Sequence, residues 1–292
     1  GLNTTASNNT AVGFQSLYTQ ATGSTLNNTA LGYQSGYGIT TGTNNTAVGY
    51  VAGKAITTGN YNVSVGRLSM DNSAGVTGDE NTALGNGTMR LLTSGANNTA
   101  VGSGSLGSNT TASSNTAVGY QAAYSNTTGD ETVAVGAGAL YSQTTGRNTA
   151  LGYHAGLDVS TGSYNSLVGG EAGENITTGS FNTALGAFAL RFNTTASNNT
   201  AVGFQAGYST TSGAANTLIG KRAGFALSTG HSNICIGFND TGGTGSGEEI
   251  TTGSKNTVIG SYNGNQGGLD IRTLSNHIVL SDGDGNPRFY II

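Results

Sequence analysis

Few side chains in this sequence are spaced for chemistry, and each set has a plainer reading. Acidic pairs stand at Asp79/Glu80, Asp130/Glu131 and Glu248/Glu249. Glycoside hydrolysis would use two carboxylates set across a cleft. The first two pairs share one slot of a repeat, which fits solvated turn charge instead. His154, His231 and His277 fall at unrelated spacings and offer no zinc pattern. Asp282-Gly283-Asp284-Gly285-Asn286 opens like a calcium loop, yet Pro287 stands where such a loop needs glycine. A hairpin loop is the expected reading. The Gly-rich stretch from Gly242 to Gly247 lacks the Lys-Ser/Thr ending of a phosphate loop and reads as a protruding loop. The sequence points to a non-enzyme with no cofactor and no metal.

Aromatic residues are the remaining candidates. One column holds Phe14, Tyr33, Tyr50, Tyr120, Tyr153, Phe204 and Phe238; a second, four residues on, holds Tyr18, Tyr37, Tyr124, Tyr141, Tyr208 and Phe225. Rows of rings such as Tyr33, Tyr50, Tyr120, Tyr153, Tyr124, Tyr141 and Tyr208 could stack on sugars of a cell-surface glycan. The competing expectation, which the pattern favours, is ring stacking between repeats that stabilises the fold.

The elements that would position these rings come from one repeat, Asn-Thr-Ala-(Val/Leu/Ile)-Gly, found fifteen times with small variations. Ten of the fourteen intervals between its closing glycines are 17 residues; the others are 19, 19, 16 and 23. The segment NTTASNNTAVGFQ begins at Asn3 and recurs almost unchanged at Asn193. Such periodicity is the signature of a solenoid. Each unit is expected to hold two short strands, Thr-Ala-Val and a second typified by Tyr120–Tyr124 and Phe204–Tyr208, with a Thr-Thr-Gly turn returning the chain. The irregular intervals are assigned to that turn, because a one-residue slip within a strand flips every side chain.

Numbering the motif Asn as position 1, the aliphatic residue at position 4 (Val12, Leu31, Val48 and onward) is expected to face the core. Position 2 shares that side, and the Ala at position 3 looks outward against a close neighbour. The Asn column (Asn9, Asn28, Asn45 and onward) suits a ladder of side-chain hydrogen bonds. Gly13, Gly32 and Gly49 close the strands. Cys235 sits in an Ala slot and excludes an internal disulfide. One aliphatic residue per coil makes a thin core, and thin cores call for association. A parallel homotrimer is expected.

Composition agrees. Fifty glycines, one proline and 8% charged residues describe a chain that turns tightly and often. A dispersed net charge of −4 offers no basic stripe for nucleic acid, and no apolar run is long enough to span a membrane. The first residue is Gly, which suggests a processed chain or a piece of a longer one.

The Asn-Thr-Ala-Val-Gly repeats resemble those in the head domains of trimeric autotransporter adhesins, and their longer Tyr-Gln-Ala version is similar to repeats of bacteriophage tail fibres and tail spikes. The resemblance covers roughly residues 3–260. It implies an all-β parallel β-solenoid (a β-roll or β-helix) of about fifteen 17-residue coils over residues 1–262, three chains side by side. Residues 263–292 are expected to form a C-terminal β-hairpin segment, similar to what precedes the self-cleaving chaperone of phage tail spikes. The implied role is a structural or receptor-binding part of a phage tail fibre. Its partners would be itself, other tail proteins and a host surface glycan or protein, and its place the virion tail. A bacterial surface adhesin head or stalk is the alternative. An ice-binding solenoid is a further one, held back by a Thr column that is expected to face inward.

Overall fold

A computed structural model describes residues 8–20, 26–238 and 243–291. The first five residues of the copy beginning at Asn3, Gly242 of the Gly-rich stretch and the terminal Ile292 lie outside them. The described residues contain no helix. The chain is a parallel β-solenoid of about fifteen coils, divided into two compact units, Gly1–Arg147 and Asn148–Ile292.

The first unit stacks eight three-residue strands: β1 (Thr10–Val12), β2 (Thr29–Leu31), β3 (Thr46–Val48), β4 (Val63–Val65), β5 (Thr82–Leu84), β6 (Thr99–Val101), β7 (Thr116–Val118) and β8 (Val133–Val135). The second holds β9 (Thr149–Leu151), β10 (Ser166–Val168), β11 (Thr183–Leu185), β12 (Thr200–Val202), β13 (Thr217–Ile219), β14 (Ile234–Ile236) and β15 (Thr257–Ile259). Within each unit neighbours pair parallel and in strict register, position 2 on 2 and position 4 on 4.

The second strand expected in each coil is absent. Tyr120–Tyr124 and Phe204–Tyr208 are turn backbone in which every other residue has positive φ: Gln121 (53°) and Ala123 (50°), Gln205 (56°) and Gly207 (61°). Alternating right- and left-handed residues still hand hydrogen bonds from coil to coil. The amide of Gln34 donates back to Phe14 O at 2.8 Å, and that of Gly36 donates forward to Ala52 O at 2.9 Å. Left-handed backbone costs a non-glycine residue about 1–2 kcal/mol, so this wall holds its shape only because the bonded coils on either side support it.

The faces of the strand are reversed from expectation. Position 3 is the inner one: Ala30, Ala47, Ala83, Ala100, Ala184 and Ala201 are 0% exposed. Val12, Leu31 and Val48 point away from the core, and Leu31 is 48% exposed. The reason is distance across the coil. A methyl group added at Gly53, on the opposite wall, would lie 3.0 Å from the Ala47 Cβ. Nothing larger than Ala fits there unless the facing wall recedes. Core volume comes from position 9 (Leu17, Met70, Met89, Leu106, Leu140, Leu190) and position 12 (Ile39, Ile56, Leu92, Val159, Ile176, Leu227), all buried.

These positions compensate one another. Where position 3 grows to Leu167, position 9 of the same coil shrinks to Gly173, whose added Cβ would sit 2.8 Å from the Leu167 and Ile176 side chains. Where position 9 is Leu, position 12 is Asn or Gln: Leu106 with Asn109, Leu140 with Gln143, Leu190 with Asn193. Asn109 then bonds across its own turn, donating to Ala112 O and accepting the Ala112 amide.

The motif glycine is fixed by its backbone. Gly32 has φ of 136°, and a Cβ there would be driven into the carbonyl of Gly49 in the next coil. The irregular intervals are not all in the Thr-Thr-Gly turn. Phe238 bridges Gly245 before position 8 of its coil, so the six extra residues of the 23-residue interval follow the strand directly.

The sheet also continues past residue 262. After the antiparallel β16 (Asn265–Gln266) and β17 (Leu269–Asp270), β18 (Ile278–Ser281) joins β15 parallel and in register. His277 takes the Asn slot and buried Val279 the Ala slot. β19 (Pro287–Ile291) then pairs antiparallel with β18 and covers the edge of the sheet.

Candidate functional site: the outer sheet face

Because position 3 points in, positions 2 and 4 point out, and the next outward residue is position 6. These three columns form a flat face of Thr, aliphatic and partly aromatic side chains. Val12, Leu31, Leu84 and Val133 are exposed in the first unit; Leu151, Leu185, Ile219, Ile234 and Ile259 are exposed in the second. β19 extends the second face, since Ile291 and Phe289 pair with Ile278 and Leu280 and all four are exposed. No charged residue occupies position 2 or 4 in any coil. In the first unit, strand spacing and rise give a patch of about 34 Å by about 13 Å, on the order of 450 Å². That face mixes Thr hydroxyls with aliphatic side chains, and it matches in size the largest patches of ordinary monomers, which are often functional.

Beneath the face lies the Asn ladder. Asn45 Oδ1 accepts the Asn62 amide at 2.8 Å, and Asn45 Nδ2 donates to Gly59 O at 2.8 Å. The same pair of bonds recurs at Asn165, to the Asn182 amide and Gly179 O. Asn9 Oδ1 accepts the Asn28 amide, and the Asn28 Oδ1 accepts that of Asn45. Thr132 takes the slot once, accepting from Gln143 at 2.6 Å. Buried and bonded on both sides, these amides leave nothing to offer a ligand.

The aromatic candidates divide into separate columns. Tyr33 lies between Phe14 and Tyr50, ring centroids 5.4 and 5.3 Å away, and Arg67 covers Tyr50 at 6.0 Å. Tyr124 stacks on Tyr141 at 5.3 Å, and Tyr208 on Phe225 at 5.0 Å. Tyr33, with a ring on each face, has none left for a sugar, whereas Tyr124 and Tyr208 each stack face to face on one ring. Tyr153 stacks on His154 at 3.8 Å. Tyr120 is exposed and makes no ring contact among the described residues. The structure does not gather these seven tyrosines into one site.

The acidic pairs are absorbed by local structure. Asp79 and Asp130 each accept a backbone amide of the preceding coil, from Asn60 and Ser113, at 2.6 Å. Glu131 pairs with Arg147 at 3.2 Å, and Glu248 pairs with Arg222 at 2.6 Å while accepting the Gly245 amide. Asp282 accepts the amides of Asn286 and Asp284 and pairs with Arg288, an arrangement that holds its carboxyl below the usual range, the Asn286 amide first. Those bonds fill the loop from within. Burial pushes the Cys235 thiol up to about 12, leaving it a packed, unreactive side chain. Among the described residues, no three His, Cys, Asp or Glu side chains gather as a metal site.

One cluster went unseen in the sequence. Arg191 pairs with Glu171 and Glu174, each at 2.7 Å, lies over Phe188 and Phe192, and has His154 beyond Glu174 at 3.9 Å. Its members come from three successive coils at positions 7, 10 and 11, so aligning the repeats by position is the signal that reveals it. It ties coils together and opens no cleft. Comparison with protein-family models, curated proteins and solved structures gives no match.

Proposed function

We propose that this chain is a self-associating structural segment of an extracellular fibre, of the kind found in bacteriophage tails, buried through its outer sheet face against copies of itself. The observation that carries the reading is the uncharged column of exposed or half-buried aliphatic residues at position 4, repeated at strand spacing in each unit. A regular face of this sort presents the same chemistry at every coil, so a second copy meets it residue for residue. Association through Ala, expected from the sequence, is replaced by association through Thr and Val/Leu/Ile. Three copies in parallel remain the proposed state, and a phage tail fibre contacting a bacterial surface glycan or protein the proposed setting; an adhesin head or stalk on a bacterial surface uses the same physics. Light scattering of the purified chain at tens of micromolar is expected to give three times 29.0 kDa. Leu185→Asp with Val48→Glu is expected to give a folded monomer. A wild-type monomer that binds no bacterial envelope preparation would overturn the reading.

A second reading is favoured by one observation. The Thr column at position 2 faces outward, with Thr29, Thr99, Thr149 and Thr183 exposed. Regularly spaced hydroxyl and methyl groups on a flat sheet could order water into ice. Thermal hysteresis in the wild type, lost in Thr99→Tyr, would support it; freezing without hysteresis removes it.

A further inference from the structure

One side-chain column in the first unit is interrupted. Position 10 carries rings at Tyr18, Tyr37, Tyr124 and Tyr141, and charged side chains at Lys54, Asp71 and Arg90. Where rings stand in successive coils they stack, Tyr18 on Tyr37 and Tyr124 on Tyr141, with centroids 5.3 Å apart. In the coil between Arg90 and Tyr124 the position holds Gly107, and position 7 of that coil holds Gly104. The backbone does not ask for glycine at position 10, since neither Gly107 nor Tyr124 has a positive φ. The missing side chain leaves a hollow of about 230 Å³, lined by Asn86, Arg90, Ser103, Ser108 and Tyr124.

The gap is one ring deep. Coils repeat at about 4.8 Å, so Arg90 and Tyr124 stand about 9.6 Å apart along the column, with room between them for a single flat layer. One face of Tyr124 rests on Tyr141; the other is turned towards Gly107, where an added Cβ would lie 2.8 Å from Tyr124 Cε2. An aromatic face is the negative part of the ring's quadrupole and attracts polarised C–H groups. Across the gap, the ion pairs of the described residues leave Arg90 out. Asp71, which feels the charge of Arg90, belongs to the preceding coil, on the side away from the hollow. One wall is thus cationic and the other aromatic, and Asn86, Ser103 and Ser108 give the rim an amide and two hydroxyls. Pockets for drug-sized ligands measure about 300–1,000 Å³; this one suits a single ring.

We propose that this notch is a subsite for one pyranose ring carrying a carboxylate, a uronic acid unit of an acidic polysaccharide. The C–H face of the sugar lies on Tyr124, its carboxylate pairs with the Arg90 guanidinium, and Asn86 and Ser108 meet its hydroxyls. A flat aromatic acid would match the ring and the arginine but offer nothing to the amide and the serines. The proposal names a saccharide class for the surface contact proposed above, and rests on that reading only for where such a polymer is met. The notch turns on positions 7 and 10, outside the position 2 and 4 columns of the sheet face.

The test is saturation-transfer difference NMR of the full chain with methyl glucuronide, methyl glucoside and benzoate. Methyl glucuronide is expected to receive saturation chiefly at its ring C–H protons. Methyl glucoside is expected to bind about tenfold more weakly, for want of the charge-assisted pair. Gly107→Tyr, which completes the ring column, is expected to abolish both signals and keep the melting temperature. Tyr124→Leu, which removes the aromatic face without adding bulk, gives the same loss by a second route. Arg90→Gln is expected to bring the glucuronide down to the level of the glucoside. Light scattering reads the outer face and is expected to be the same for all three variants, so the two readings fail separately. Absence of saturation in methyl glucuronide with the wild type overturns the proposal. So do undiminished signals in Gly107→Tyr or Tyr124→Leu, unchanged glucuronide affinity in Arg90→Gln, and binding of benzoate with neither sugar bound.

Discussion

The two faces of the same three-residue strands obey opposite rules. Inside, position 3 admits Ala, Ser, Cys or Val, and Leu only where glycine faces it, because the opposing wall passes within contact distance of its Cβ. Outside, positions 2 and 4 carry the larger aliphatic residues on an open, flat surface. Size therefore misleads about direction in a coil this narrow. Stability is set by close backbone packing within the coil, and association by what the coil leaves uncovered.

The sharpest contrast pairs two neighbours. Ala184→Asp places a carboxylate at a fully buried site with no partner and is expected to cost several kcal/mol, enough to unfold its coil. Leu185→Asp, one residue on and 47% exposed, is expected to leave the fold standing and abolish self-association. Thermal melts followed by circular dichroism, with light scattering alongside, separate the two. Equal loss of fold in both would break the comparison.

Next in size is the exchange of volume between opposing walls. Gly173→Leu introduces a side chain where Leu167 and Ile176 already stand 2.8 Å from the missing Cβ, at φ of 59°. Overpacking costs about 1–3 kcal/mol, and the left-handed backbone about 1–2 kcal/mol more for a non-glycine residue. Adding Leu167→Ala and Ile176→Asn recreates the combination that Ala184, Leu190 and Asn193 hold in the next coil. The triple variant is expected to recover most of the loss in chemical denaturation. No recovery would mean that the position-9 backbone, not the shared volume, sets the limit.

The repeat, its period and the parallel stacking were legible because the motif glycine and Asn recur at fixed spacing. The direction of the strand was not. Val12 and Leu31 look like core residues, and only the proximity of the opposite wall, a property of the folded backbone, turns Ala inward. The second strand was misread for a related reason. Residues 120–124 form a short segment, bonded from coil to coil and preceded by a glycine, yet their alternating φ signs leave no composition signature that separates them from a strand. A strand was expected at β18 as half of a hairpin, but its place as a further coil of the parallel stack went unread, because His277 and Val279 stand where Asn and Ala mark the others. Stacking of Tyr33 and Tyr208 was the favoured expectation because adjoining repeats carry rings in the same slots, and both rings do stack on those neighbours.

A smaller effect compares the buried polar column with the apolar face above it. Asn165→Ala removes an acceptor for the Asn182 amide and a donor to Gly179 O, each in a buried setting. Leaving such groups unsatisfied costs about 1–3 kcal/mol apiece before relaxation or water entry. Ser166→Ala, beside it on the exposed face, is expected to change stability by less than about 0.5 kcal/mol. Urea midpoints of the two variants test this directly, and a matching shift in both would deny the ladder its role.

The smallest effect is a pH dependence at the edge of the Arg191 cluster. The Asp158 carboxyl is raised above its ordinary 3.8, by burial first and by the charge of Glu174 second, with His154 opposing. A carboxyl that holds its proton more tightly when folded costs stability wherever it is ionised, and that cost fades as pH falls through the folded value towards 3.8. Asp158→Asn is therefore expected to raise the melting temperature slightly at pH 7 and to match the wild type at pH 3. The difference between the two proteins at each pH isolates this one group from the other carboxylates that titrate over the same range. A gain that persists unchanged at pH 3 would place its origin in packing or hydrogen bonding, outside the charge ladder that runs from coil to coil through Glu174.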